Sequence, residues 1–295
     1  MNPKRPKVEP IRNPTPTFHY GFHCVAFLDI LGQRRKLRQL PLLPKRDEET
    51  TKLLAETAGY VLRLRQHLRD CFEEFRKPTL FLPKLPQDAQ IRILNARHAV
   101  KYRGFSDSII MTISFKDDQE QCAPMIGVFG CIAACCMLHL LALSFKRPIR
   151  GGIDVGLGLE LTDDEVYGPV LESAHFLESQ VADYPRVLVG EGLSKYLNEV
   201  ENHSATTPLG LLAQQLAFRC NQFLTVDTDG SRMLDFLGEE MAKVTPPDQR
   251  QKLFTPANDY INEQKQIADS EGNHKHLSRY VRLGSYFDKQ SKLWS

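Results

Sequence analysis

From Cys122 to Ser144 the chain runs CAPMIGVFGCIAACCMLHLLALS without a single charged side chain. A stretch of that length either crosses a bilayer or forms a helix buried on all sides. Pro124, Gly127 and Gly130 dilute its first half, while Cys, Ala and His moderate its hydrophobicity. It also stands alone between two strand-like segments. The expectation is a central helix inside a globular core or a dimer interface, with no membrane association.

The rest of the composition agrees with a soluble globular chain: hydrophobic residues make up 42% and charged residues 25%. A net charge of +2 gives no reason to expect nucleic acid as a partner. The 7 cysteines fit no zinc spacing, and their odd number argues against a complete disulfide framework, so reduced thiols in a cytoplasmic protein are expected. Residues 1–17 carry Pro3, Pro6, Pro10, Pro14 and Pro16 and no apolar stretch, which predicts a basic, disordered arm and not a signal peptide.

Past the arm, CVAFLDI (24–30) is a nearly continuous apolar run, a buried strand ending near an acid. A helix is predicted from Asp47 to Phe75 and a proline loop over 76–90. AVKYRGF (99–105) and SIIMTISF (108–115) form a hairpin turning at Ser106 and Asp107. A glycine-punctuated strand at 150–161 follows the apolar helix. Then come a helix from Gly168 to Val181, a strand at 186–190, and a second hairpin at 222–237 turning at Asp229-Gly230. The tail from about Ala257 to Trp294 reads as charged, amphipathic helix packed on the outside. The whole is an α+β arrangement with a mixed sheet flanked by helices. One large domain spans 18–240 and a helical extension spans 241–295.

Asp29 and Asp107 carry the chemistry. Ionised carboxylates are costly inside an apolar sheet unless a cation or hydrogen bonds compensate them. Neighbouring strands lie about 4.8 Å apart, so acids on adjacent strands can share hard cations. Oxygen ligands without His or Cys suit Mg²⁺ or Mn²⁺, which complete their shells with substrate phosphates. Two ordinary strand-end or turn residues are the other reading of the same two positions.

FLDILG (27–32), FSDSI (105–109), RGGIDVG (150–156) and VYGPVLESAHFLES (166–179), in that order, resemble the motifs of the class III nucleotidyl cyclases. The resemblance covers roughly 22–237. It implies a ferredoxin-like βααββαβ catalytic core that works as a head-to-tail homodimer with active sites at the interface. It further implies two Mg²⁺ or Mn²⁺ ions held by Asp29, Asp107 and the Ile30 carbonyl, and a nucleoside triphosphate whose phosphates meet Leu31, Gly32, Gln33 and Arg34. Base choice would fall to Arg103 and Glu165, with Tyr102 or Phe105 filling the pocket.

The sequence departs from the family at two positions of the last motif. Glu172 and Phe176 stand where the family keeps an asparagine and the arginine that stabilises the transition state. Arg34, Arg35, Arg97 and Arg150 are the candidate replacements. This divergence looks like the pyrimidine cyclases of the bacterial Pycsar antiphage systems. It implies that UTP becomes cyclic UMP and pyrophosphate, the product acting on a separate effector. A cytidylate cyclase, a purine cyclase and an inactive, nucleotide-sensing cyclase fold are the alternatives. His139, within the apolar run, reads as a core residue.

Overall fold

The computed structural model describes residues 19–33, 37–38, 40, 43, 45–77, 85–88, 90–91, 100–115, 122–162 and 165–295. The central strand is β1 (His19–Ile30), longer at its start than the apolar run suggests. After α1 (Glu48–Phe75) comes the hairpin of β2 (Val100–Phe105) and β3 (Ser108–Ser114), then α2 (Cys122–Ser144), then β4 (Ile149–Thr162) and β5 (Glu165–Tyr167). Next are α3 (Pro169–Phe176), β6 (Val187–Val189), α4 (Glu191–Glu201), α5 (Pro208–Gln222), and the hairpin of β7 (Leu224–Val226) and β8 (Arg232–Leu234). The chain ends in α6 (Glu239–Val244), α7 (Pro247–Ser270) and α8 (His274–Trp294). The sheet order is β2-β3-β1-β4-β6-β8-β7, with β5 also on β4. β4 and β6 run parallel, while β1 is antiparallel to both of its neighbours. The sheet is mixed and flanked by helices, as the sequence predicts.

Strand alternation divides β1 between two faces. Cys24, Ala26, Leu28 and Ile30 join the main core, whose centre is α2. That helix is long and apolar enough to cross a membrane, yet its most apolar window is 89% buried inside the protein. Packed against α1, α5 and α7, it meets protein on every side. His139 on it is fully buried among aromatics, and burial pushes its pKa down to about 3, so it stays neutral.

Val25 and Phe27 face the other way, toward α3, with Val166, Val170 and Ala174. The approach of α3 is made possible by alternate glycines on β4. A Cβ on Gly152 would stand 2.3 Å from the Ala174 carbonyl oxygen and 2.6 Å from Leu177 Cβ. Neither neighbour is a flexible side-chain end, so Gly152→Ala must lift α3 from the sheet. It is expected to cost about 1–3 kcal/mol, read as a lower denaturant midpoint with unchanged slope. The α-helix predicted to run to Val181 ends at Phe176 and continues as one π-helical turn, Leu177–Val181.

The tail differs from expectation in two ways. α7 starts at Pro247, because Pro246 and Pro247 open the helix and Pro256 is accommodated within it. Its apolar face, with that of α8, also belongs to the main core and not to an outer layer: Ile261, Leu283, Phe287 and Trp294 are essentially buried, and Trp294 Nε1 donates to the Leu237 carbonyl at 2.8 Å.

Candidate active site

Asp29 follows Val25 and Phe27 on the α3-facing side of β1, at the strand end where helix cover runs out. Ser108 of β3 and Arg150 of β4 sit directly opposite it in register. Because Asp107 immediately precedes Ser108, the hairpin carries the second acid to the same sheet end. Ser108 Oγ donates to Asp29 Oδ1 at 3.1 Å. Burial, then the charges of Asp107 and Glu178, push the Asp29 pKa up to about 6; the Ser108 hydrogen bond and Arg150 pull the other way. The site therefore holds more negative charge than its own partners neutralise.

Glu178, on the π-helical turn, is the third acid of this neighbourhood. It is buried and accepts from Arg150 Nε at 2.8 Å and Nη2 at 2.6 Å. The arginine of the third sequence motif thus meets the glutamate of the fourth. Arg150, proposed from sequence as a substitute transition-state arginine, is engaged by that carboxylate. Arg34, Arg35 and Arg97 lie outside the described residues.

The turn after β1 is partly committed to the fold. Leu31 N–H donates to the Pro148 carbonyl at 2.9 Å, which removes it from the expected phosphate cradle. Gly32 takes φ +86, a left-handed conformation that glycine adopts freely, and is exposed. Gln33 is buried, its Oε1 without a hydrogen-bond partner among the described residues. Ile30 turns its side chain into the core, leaving its carbonyl as the one group it can offer a cation.

On the same face as Asp29, a 210 Å³ pocket is lined by Arg103, Phe105, Ile110, Thr112, Val166 and Leu171. Arg103 and Phe105 were expected together and are together, Phe105 at 78% exposure. Tyr102 does not join them. One residue out of phase, it faces α1, where its ring meets Phe72 edge-on at 6.0 Å. Glu165 lies on β5 beside this pocket's Val166, its backbone paired with Thr162; its side chain is outside the described set. Glu172 and Phe176 are exposed on α3.

Among the described residues no group of three or more His, Cys, Asp or Glu is arranged to hold a metal. Two oxygen-donor acids that leave most of a coordination shell open suit Mg²⁺ or Mn²⁺ with phosphate and water completing it, and do not suit zinc. Sequence reasoning missed Ser108 and Glu178, although both lie inside the quoted motifs.

No protein-family model matches the chain, and no curated protein matches it. Among solved structures, the adenylyl cyclase CyaB from P. aeruginosa is similar at TM-score 0.38 and 15% identity, over 62% of this chain and 83% of that one. A bacterial light-regulated adenylyl cyclase is similar at TM-score 0.32 and 12% identity, over 68% of this chain and 99% of that one. Similarity of this degree identifies neither a family nor a substrate.

Proposed function

We propose that this chain is a metal-dependent nucleotidyl cyclase that converts a pyrimidine nucleoside triphosphate, UTP ahead of CTP, to its 3′,5′-cyclic monophosphate. The observation that carries this reading is the meeting of Asp29 and Asp107 at one sheet end, with the raised Asp29 pKa as its electrostatic signature. Divalent ions bound there would ease deprotonation of the ribose 3′-hydroxyl and neutralise the triphosphate. The 3′-oxygen would attack the α-phosphorus, breaking the bond to the β-phosphate bridge and releasing pyrophosphate. Asp29, Asp107 and the Ile30 carbonyl hold the cations. Gly32 and Gln33, in the turn that follows Asp29 and Ile30, would carry the phosphates. Arg103, with Phe105 as a wall and Glu165 on the adjoining strand, reads the base, its paired donors suiting carbonyl and ring-nitrogen acceptors.

A homodimer belongs to this reading. Tyr20, Phe22 and Tyr167, exposed at 76%, 61% and 63%, lie along the β1–β4–β5 ribbon as an apolar face that a second copy can cover. Synthesis of a second messenger for a separate effector in antiphage defence, in the cytoplasm, is the physiological role proposed. Incubation with each of the four triphosphates and Mn²⁺, followed by chromatography of the cyclic products, is expected to yield cyclic UMP foremost. Product from ATP or GTP alone would overturn the pyrimidine assignment.

A second reading is favoured by Phe176 and by the engagement of Arg150: a cyclase fold that binds a nucleotide without turning it over. Nucleotide binding without product from any of the four substrates would establish it.

A further inference from the structure

The hairpin turn that presents Asp107 carries a left-handed residue that is not glycine. Ser106 sits at φ +53, a region that costs a residue with a Cβ and that two-residue hairpin turns normally give to Gly, Asn or Asp. Something must hold the turn in place. Arg65, on α1, reaches the hairpin and donates from Nη2 to the Ser106 carbonyl at 2.8 Å and the Ser108 carbonyl at 3.1 Å. Those two carbonyls flank Asp107. The guanidinium occupies the space above Gly104, where a Cβ would lie 2.0 Å from Arg65 Cζ. Gly104, two residues ahead of the turn, is therefore the cradle that admits the clamp.

We propose that Arg65 is a positioning residue for Asp107: by tying both flanking carbonyls to α1, it holds the strained turn so that the carboxylate faces Asp29. This rests on the reading of Asp29 and Asp107 as cation ligands. The clamp acts through the two backbone carbonyls that Arg65 holds. Removing a group that orients a metal ligand typically weakens metal affinity about 10–100-fold.

The test is Mn²⁺ binding to the nucleotide-free chain, followed by electron paramagnetic resonance of the free ion, with circular dichroism melts as the folding control. Arg65→Met keeps the apolar stem and removes the donors, and is expected to raise the Mn²⁺ Kd about 10–100-fold. Gly104→Ala leaves Arg65 intact but expels it from its cradle, so it should raise the Kd similarly. Adding Ser106→Gly to Arg65→Met relieves the turn strain and should restore most of the affinity, which a merely destabilising substitution would not allow. Wild-type Kd in either folded single variant overturns the clamp while leaving the metal site standing. Failure of the wild type itself to bind Mn²⁺ overturns the metal reading, and the clamp's purpose with it.

Discussion

Asp29→Asn is expected to reduce cyclic nucleotide formation by at least ~10²–10³-fold, and at the same time to make the metal-free protein melt higher at pH 8. The two effects have one cause. The Asp29 carboxylate is partly buried beside Asp107 and Glu178, so its charged form is disfavoured and its pKa stands at about 6 against an ordinary value of 3.8. A folded-state pKa above the unfolded one means the folded state binds the proton more tightly. Stability therefore falls as pH climbs from about 4 through 6, with the whole penalty present above that. Asparagine carries no such penalty. The melting advantage of the variant should vanish near pH 4, where the wild-type carboxyl is neutral too. Mn²⁺ should reverse the order at pH 8 by stabilising the wild type alone. Calorimetry at pH 4 and 8, with and without Mn²⁺, reads all four states. Equal Mn²⁺ shifts in both proteins would remove Asp29 from any cation site.

The placement of Asp29 and Asp107 at one sheet end was legible in the sequence because each breaks a local pattern: an acid ending an apolar strand, and an acid at the tip of an apolar hairpin. The buried α2 was legible for a similar reason, since Pro124, Gly127 and Gly130 suit a crowded interior better than lipid. The alternate glycines of β4 were visible, but their purpose was not. Only the packing of α3 shows that Gly152 exists to admit the Ala174 carbonyl. The separation of Tyr102 from Arg103 and Phe105 was available from strand period alone. Contacts between distant segments were not. Leu31 N–H goes to Pro148, Arg150 to Glu178 and Arg65 to the hairpin carbonyls, each pairing groups whose sequence neighbourhoods say nothing of one another. The tail misled by its charge: a helix with one apolar stripe reads as an outer layer until the other elements are seen to lack a lid.

The largest effect on stability is expected at Arg186. Its side chain is 1% exposed between β6 and the β7–β8 turn, a costly place for a guanidinium without compensation. Compensation is dense. Nη1 bonds Asp227, Nη2 bonds Asp229 Oδ2 at 2.7 Å and the Val181 carbonyl at 3.2 Å, and the guanidinium lies 4.7 Å from the Tyr184 ring centroid. Tyr184 Oη donates to Asp227 at 2.7 Å, and Arg282 of α8 donates to Asp229 at 2.9 Å. One buried cation thus joins the π-helical turn, the second hairpin and the last helix. Arg186→Met leaves Asp227 facing the interior with its main partner gone, which costs about 3–5 kcal/mol for a pair of this kind. Hydrogen bonding from Arg186 holds the Asp229 pKa below its ordinary value, so this carboxylate contributes stability that is complete above about pH 4 and lost as pH falls further. The gap between wild type and variant should therefore be widest at neutral pH and should narrow steadily as pH falls from about 4 toward the lowered folded-state pKa values, where the carboxylates finally take up protons and the wild-type arginine loses its partners. Urea denaturation at pH 7 and at about pH 2 reads the change. A gap that holds constant across that range would mean that Arg186 stabilises the fold by filling space, and that its charge contributes nothing.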